Sequence, residues 1–239
     1  MRIYGKNPVL ERLKSEPKSI LKLYLETGHA ESGYINKKAR KWGIPVQTVT
    51  RQKMDKIGRN VNTQGIMAEI GEFAYVEFDD LLTKAAEKKL CLVFLDGLTD
   101  PQNLGVIIRS LGCLGGFAII LPVHDSVSVT ETTLRISCGG ENYVSISRVA
   151  NLSKAIREAK DRDFLIMGAV VDEGEDIRKA DFQFPVALVI GSEQKGIRPV
   201  IRSLLDRKIT LPMSQNRLSL NAAQATTLFC YEISRRRIS

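Results

Sequence analysis

The sequence is poor in the residues that build metal centres and disulfide frameworks. Its 239 residues include four cysteines and two histidines. Cys91, Cys113, Cys138 and Cys230 lie far apart and in none of the paired spacings that metal ligation uses. Three of them fall in or beside apolar stretches, where a free thiol acts as a small buried hydrophobe. His29 and His124 are isolated, so no metal site is expected, and both rings read as surface or locally satisfied groups. No apolar run approaches the roughly 20 residues of a membrane span. The opening residues from Met1 to Pro8 lack the apolar centre of a secretion signal, and a cytoplasmic protein is the expectation. The standard nucleotide motifs are missing too. Gly191–Gly196 lacks the Gly-Lys-Ser/Thr ending of a phosphate-binding loop, and no strand runs into Gly-x-Gly-x-x-Gly. A P-loop NTPase and a dinucleotide-binding dehydrogenase are therefore disfavoured.

What is present is an ordinary globular composition, 44% hydrophobic and 26% charged, with an uneven charge. Residues 1–71 hold 14 Lys and Arg against 6 Asp and Glu, whereas residues 72–239 hold 21 of each. The whole net charge of +8 therefore sits in the first third. A basic module joined to a neutral one implies that the first holds a polyanion while the second does other work.

The hydrophobic pattern divides the chain in the same place. From 20 to 70, short strands (Ile20–Leu25, 43–47, Gly65–Ile70) alternate with helices (Glu31–Trp42 and Lys53–Arg59), as in a small α/β layer. Residues 72–89 read as a connection and a helix, with Asp80 placed to cap it. From 90 to 239 the alternation strengthens. Leu90–Leu95, Phe117–Leu121, Phe164–Val170, Val186–Ile190 and Lys208–Leu211 are strands, and the first is apolar throughout, as a parallel strand buried on both faces must be. Helices are expected at Asn103–Leu114, 151–161, 198–205 and from Ser219 onward, with 122–150 irregular. Arg235–Arg237 reads as a helix end that complements the macrodipole.

Three segments of this second module stand out. They are Asp96-Gly-Leu-Thr-Asp-Pro-Gln-Asn103-Leu-Gly-Val-Ile-Ile-Arg109, Ile190-Gly-Ser-Glu-Gln-Lys-Gly196, and Leu211-Pro-Met-Ser-Gln-Asn-Arg-Leu-Ser-Leu-Asn221. Each is an apolar strand that runs into a Gly- or Pro-marked turn and then opens a helix. In α/β proteins, ligand sites form outside the carboxyl ends of strands. The three loops carry Asn103, Arg109, Glu193, Ser219 and Asn221, and together they imply a composite pocket.

These segments resemble the three motifs of the SpoU-type (TrmH-like) ribose 2′-O-methyltransferases of the SPOUT class. Asp100-Pro101-Gln-Asn103-Leu-Gly105 with Arg109 is similar to the first. Gly191-Ser-Glu193-Gln-Lys-Gly196 is similar to the second, and Pro212-Met213 with Ser219-Leu220-Asn221 to the third. Ser137-Cys-Gly139-Gly140-Glu141 and Asn151-Leu152 also fit the intervening pattern. Upstream, Tyr4-Gly5-Lys-Asn7-Pro-Val9-Leu and Gln64-Gly65-Ile-Met-Ala resemble the substrate-binding domain of the RlmB-like branch. Two departures stand beside the match. Gln215 and Arg217 replace the usual Gly and Val of the third motif, with Ala222-Ala223-Gln224 in place of a Ser-rich stretch, and Gln194 replaces a frequent Gly in the second.

The resemblance implies a small N-terminal α/β substrate-binding domain followed by a knotted parallel-sheet methyltransferase domain that works as a homodimer. A trefoil knot is a rarity that no sequence pattern reveals. The implied reaction moves a methyl group from S-adenosylmethionine to a ribose 2′-hydroxyl of ribosomal RNA, most closely a guanosine of large-subunit rRNA. Because a methyl sulfonium is an activated donor, no metal is implied. Main-chain groups at Gly191, Leu211, Met213 and Leu220 would hold the donor, with the Leu211 and Leu220 side chains also packing as core. Arg109, Asn103, Glu193, Ser219 and Asn221 would form the catalytic group. Arg109 reads in two ways: as a cation that stabilises the forming oxyanion, or as a helix residue paired with a carboxylate such as Glu193. Glu193, in turn, reads either as a helix-terminal interaction or as the group that orients Arg109 or Asn103. A tRNA-directed or resistance methyltransferase, and an inactive RNA-binding assembly factor, are the alternatives.

Overall fold

The computed structural model describes residues 1–59, 61–214 and 219–237. The first unit comprises β1 (Arg2–Tyr4), α1 (Lys6–Ser15), β2 (Ile20–Glu26), α2 (Ser32–Lys41), β3 (Val46–Val49), α3 (Arg51–Gly58) and β4 (Ile66–Ile70). Its strands form one sheet in the order β1-β4-β2-β3, with only the β2–β3 pair parallel. Thr50 caps α3 through its hydroxyl, which accepts from the Lys53 amide; this supplies one of the partners that helix N-termini lack.

The remaining elements are α4 (Phe78–Glu87), β5 (Cys91–Asp96), α5 (Pro101–Leu114), β6 (Phe117–Pro122), α6 (Glu131–Ser137), β7 (Ser145–Val149), α7 (Leu152–Lys160), β8 (Leu165–Ala169), β9 (Glu175–Asp176), β10 (Val186–Gly191), α8 (Pro199–Arg202), β11 (Arg207–Thr210) and α9 (Ala222–Arg237). Seven strands make one sheet in the order β7-β6-β5-β10-β8-β11-β9, and every pairing in it is parallel. The chain thus has the α/β class that its alternating pattern indicates. β5, β6 and β10 are apolar and buried almost throughout because helices cover both faces of the sheet. One apolar cluster, with Leu81, Phe94, Ile156 and Ile201, lies on one face. The other face carries Val93, Leu104, Leu188 and Phe229, and this cluster continues into the small sheet through Ile3, Val9 and Leu13.

Several local expectations change. Helix α4 starts earlier than expected, with Glu77 at its N-cap position, so Asp80 lies within the first turn rather than at the cap. The stretch 122–150 is not irregular. It holds α6, which opens on a reciprocal Thr130–Thr133 capping box, and the edge strand β7. Of the four thiols, Cys91 and Cys230 are buried, while Cys113 is exposed and Cys138 half-buried. The C-terminal arginines also do more than complement a dipole: Arg236 donates to the carbonyls of Ala180 and Ile177.

The two units are joined by polar contacts as well as by apolar ones. Glu131 accepts from the Arg2 amide at 2.9 Å and from the Tyr4 hydroxyl at 3.1 Å. Arg12 and Glu141, both buried, form an ion pair at 3.1 Å, and Ser137 donates to the same carboxylate at 2.6 Å.

Candidate active site

Two of the three motif loops leave the carboxyl ends of the adjacent strands β5 and β10, and the third follows β11 two positions along the sheet. They enclose a cavity of about 680 Å³. Each loop has a local device that fixes it. Asp100 caps α5 by accepting from the Gln102 amide at 2.8 Å, and Pro101 follows in the first helical turn, where its missing N–H costs nothing. Asn221 caps α9 by accepting from the Ala223 amide at 2.8 Å. The middle loop is a tight turn in which Ser192 and Gly196 exchange two backbone hydrogen bonds, at 3.1 and 2.9 Å. A side chain at Gly191 would overlap the backbone of Gly196 and Ile197, and Gly196 has φ +65°, so this turn requires both glycines.

A carboxylate and two amides tie the loops together. Asn103 donates to Glu193 at 2.5 Å, while Asn221 Nδ2 lies 3.1 Å from both Glu193 Oε1 and Asn103 Oδ1. Three residues from three separate loops therefore share one hydrogen-bonded network at the cavity edge. The carboxylate is the acceptor, and such charge-assisted bonds are the stronger kind. Gly191, Leu211, Met213, Ser219 and Leu220 line the same cavity. Leu220 is exposed, so its side chain borders the cavity instead of packing in the core. Glu193 is not a helix-capping group, because the next helix begins only at Pro199.

Arg109 lies outside this group. From Asn103 it is six residues along α5, which is about 9 Å along the axis and about 120° around it. Asn103 accordingly faces the cavity while Arg109 is exposed. Its guanidinium donates to the Cys138 sulfur at 3.7 Å. Among the described residues no carboxylate pairs with it, so Glu193 orients Asn103 and Asn221 but not Arg109. Gln194 lines the cavity, whereas Gln215 and Arg217 lie outside the described residues.

One supporting residue falls outside the candidate group named from the sequence. Asp96, buried at the end of β5, accepts from the Arg198 amide at 2.9 Å and from its guanidinium at 2.6 Å. This anchors the far side of the middle loop. A buried carboxylate ending an apolar strand is the feature that could have flagged it.

Residues 90–231 match the sequence pattern of the SpoU rRNA methylase family. The chain belongs to that family. Residues 2–76 match a second pattern, described as RNA 2′-O ribose methyltransferase substrate binding. A Bacillus subtilis protein, assigned by name to the TrmH family of tRNA/rRNA methyltransferases, is 36% identical across 98% of this chain and 95% of its own length. Among solved structures, the SpoU methyltransferase AviRb from Streptomyces viridochromogenes, in complex with AdoMet, superposes with a TM-score of 0.82. It is 25% identical and spans 100% of this chain and 91% of that one. An AdoMet-bound rRNA methyltransferase from Sinorhizobium meliloti gives a TM-score of 0.83 at 25% identity, over 100% of this chain and 87% of the other. Among the described residues, no helix is long and apolar enough to cross a membrane.

Proposed function

We propose that this chain methylates a ribose 2′-hydroxyl of structured RNA, with S-adenosylmethionine as donor and a guanosine of large-subunit rRNA as target. The observation that carries the reading is the single cavity bounded by three motif loops and braced by Asn103, Glu193 and Asn221. Its volume lies within the roughly 300–1,000 Å³ usual for cofactor sites. Its lining also suits an adenosine-bearing sulfonium. Gly191 brings backbone close, Leu211, Met213 and Leu220 offer apolar contact, and a carboxylate stands at the edge. The relatives' names support RNA as substrate, and the description of the N-terminal pattern supports the 2′-oxygen.

In this reading Gly191, Leu211, Met213 and Leu220 hold the donor, which supplies a methyl group on a positively charged sulfur. Asn103, Glu193 and Asn221 keep the three loops in register, and Ser219 adds a hydroxyl at the same cavity. Arg109 donates hydrogen bonds to the ribose oxygen while the proton of that hydroxyl passes to water. A guanidinium stays protonated at any ordinary pH, so Arg109 stabilises the developing oxyanion rather than removing the proton.

Residues 1–71 form the basic module that grips RNA, and residues 90–239 form the transferase, threaded as the SPOUT knot. The chain works in the cytoplasm as a homodimer. Val106 on α5 and Leu228 and Tyr231 on α9 are exposed apolar side chains on helices that pack together. A second copy covering them would come up beside Arg109, three residues from Val106. Sedimentation at micromolar concentration that showed only a 26.6 kDa species would refute the dimer. The activity is tested by mapping 2′-O-methyl positions across total RNA from cells with and without the protein. The reading expects one position, or a few, to lose the modification, and identical maps would contradict it.

A further inference from the structure

Exposed aromatic rings are costly in water and call for an explanation when they line up. On α2 the buried face is Ile35 and Ala39. Beside that face Tyr34 and Lys38 lie one turn apart, and Lys41 and the C-cap residue Trp42 follow at the end of the helix. Tyr34 is 40% and Trp42 43% exposed. Each ring has an ammonium over it, with Lys38 5.8 Å from the Tyr34 centroid and Lys41 5.9 Å from that of Trp42.

The row continues onto the transferase unit. Lys14 of α1 pairs with Glu11 at 2.8 Å, and the Tyr143 hydroxyl donates to the same Glu11 at 2.5 Å. The Lys14 ammonium feels both the Tyr34 and the Tyr143 phenols, and its pKa is raised chiefly by its bond to Glu11. Tyr143 is 59% exposed. It follows the turn 140–142, which is seated on α5 so closely that a side chain at Gly140 would come within 2.9 Å of the Arg109 Cα. Rings and ammoniums thus recur from the basic module to the turn that is seated beside the proposed catalytic arginine.

We infer that Trp42, Tyr34 and Tyr143, with Lys41, Lys38 and Lys14 among them, form a stacking track that holds unpaired nucleotides and leads the RNA strand to Arg109. The inference rests on RNA being the substrate. Bases stack on the rings while the ammoniums take the phosphates, the combination by which proteins grip single strands without reading sequence. A duplex, whose bases are already stacked on one another, cannot use the rings.

Trp42 is the only tryptophan in the chain, so its emission reports on the track in the intact protein. A short fluorescein-labelled oligouridylate and a duplex RNA of equal length are the probes, and anisotropy measures binding independently. The single strand is expected to quench Trp42 with the same midpoint as the anisotropy, and the duplex to bind without comparable quenching. Tyr34→Ala and Tyr143→Ala should each weaken single-strand binding roughly ten- to a hundredfold. Tyr143→Phe, which keeps the ring but loses the hydroxyl bond to Glu11, should bind as the native protein does. Single-strand binding with unchanged Trp42 emission would overturn the track while leaving RNA as the substrate. So would native affinity in both alanine variants. If neither probe bound, the RNA reading itself would fall, and the track with it.

Discussion

Replacing Arg109 by alanine separates chemistry from architecture, because the structure gives its side chain so little to hold. It is exposed, and it donates to the Cys138 thiol at 3.7 Å. Substitution of an exposed residue with such a weak partner changes stability by about 0.5 kcal/mol or less, and alanine is an excellent helix former. The melting temperature should therefore move by no more than about 2 °C. Asn103, Glu193 and Asn221 do not touch Arg109, so donor affinity should also be unchanged. The catalytic loss is on another scale. A preorganised donor to a developing oxyanion typically contributes about a hundred- to a thousandfold in rate, or about 2.7–4 kcal/mol. The assay is single-turnover methylation with saturating enzyme, which removes weakened RNA binding as an explanation. Arg109→Lys should recover little, since an ammonium lacks the planar fork of the guanidinium. A near-native rate for Arg109→Ala would refute the assignment and pass the catalytic role to Glu193, Ser219 and Asn221.

Other expectations test the frame around the cavity. Gly191→Ala should displace the 192–196 turn, because the new side chain meets the backbone of Gly196 and Ile197. Calorimetry should then show at least a tenfold loss of S-adenosylmethionine affinity, about 1.4 kcal/mol, and unchanged affinity would contradict the cradle. Arg12→Met removes one partner of a buried ion pair and leaves the Glu141 carboxylate uncompensated, at a cost of about 3–5 kcal/mol in urea unfolding. Adding Glu141→Leu should recover much of that loss, and a single variant within 1 kcal/mol of native would show the pair to be unimportant. Burial raises the Cys91 thiol to about 12 and pushes Cys230 upward as well. Iodoacetamide at mildly alkaline pH should therefore modify exposed Cys113 in the folded protein and spare both buried thiols, as read by peptide mass spectrometry. Equal labelling of Cys91 and Cys113 would contradict the packing.

How much of this was legible in the sequence varied with how local the cause was. The buried parallel strands announced themselves as unbroken apolar runs, and the Asp100-Pro101 start of α5 is a capping signal that needs no tertiary partner. The convergence of three loops followed from where α/β sheets place their ligands. Other elements had no such signal. β1 is only three residues long, and α1 has Gly5 at its N-cap position, with no capping side chain, and carries Pro8 in its first turn. β7 pairs with β6 alone, and Ser145-Ile-Ser-Arg-Val has two apolar residues rather than an apolar run. The sequence leaves Glu193 open between a helix-end group and the orienter of Arg109 or Asn103, and tertiary contact with Asn103 and Asn221 decides it. Arg109 directly follows the apolar Val106-Ile107-Ile108, which gives no hint that its side chain is exposed. Helical geometry turns it away from Asn103, and the neighbouring Val106 shows that this face of α5 is open.

The central claim is methyl transfer to a ribose oxygen of RNA, and the product nucleoside tests it most directly. Purified protein is incubated with methyl-labelled S-adenosylmethionine and RNA from cells lacking it, and the RNA is digested to nucleosides. The account predicts label in a 2′-O-methylnucleoside, and no more than a trace of it when Arg109→Ala protein is used at the same concentration and time. Label on a nucleobase, or RNA left unlabelled by native protein that binds the donor, would contradict it.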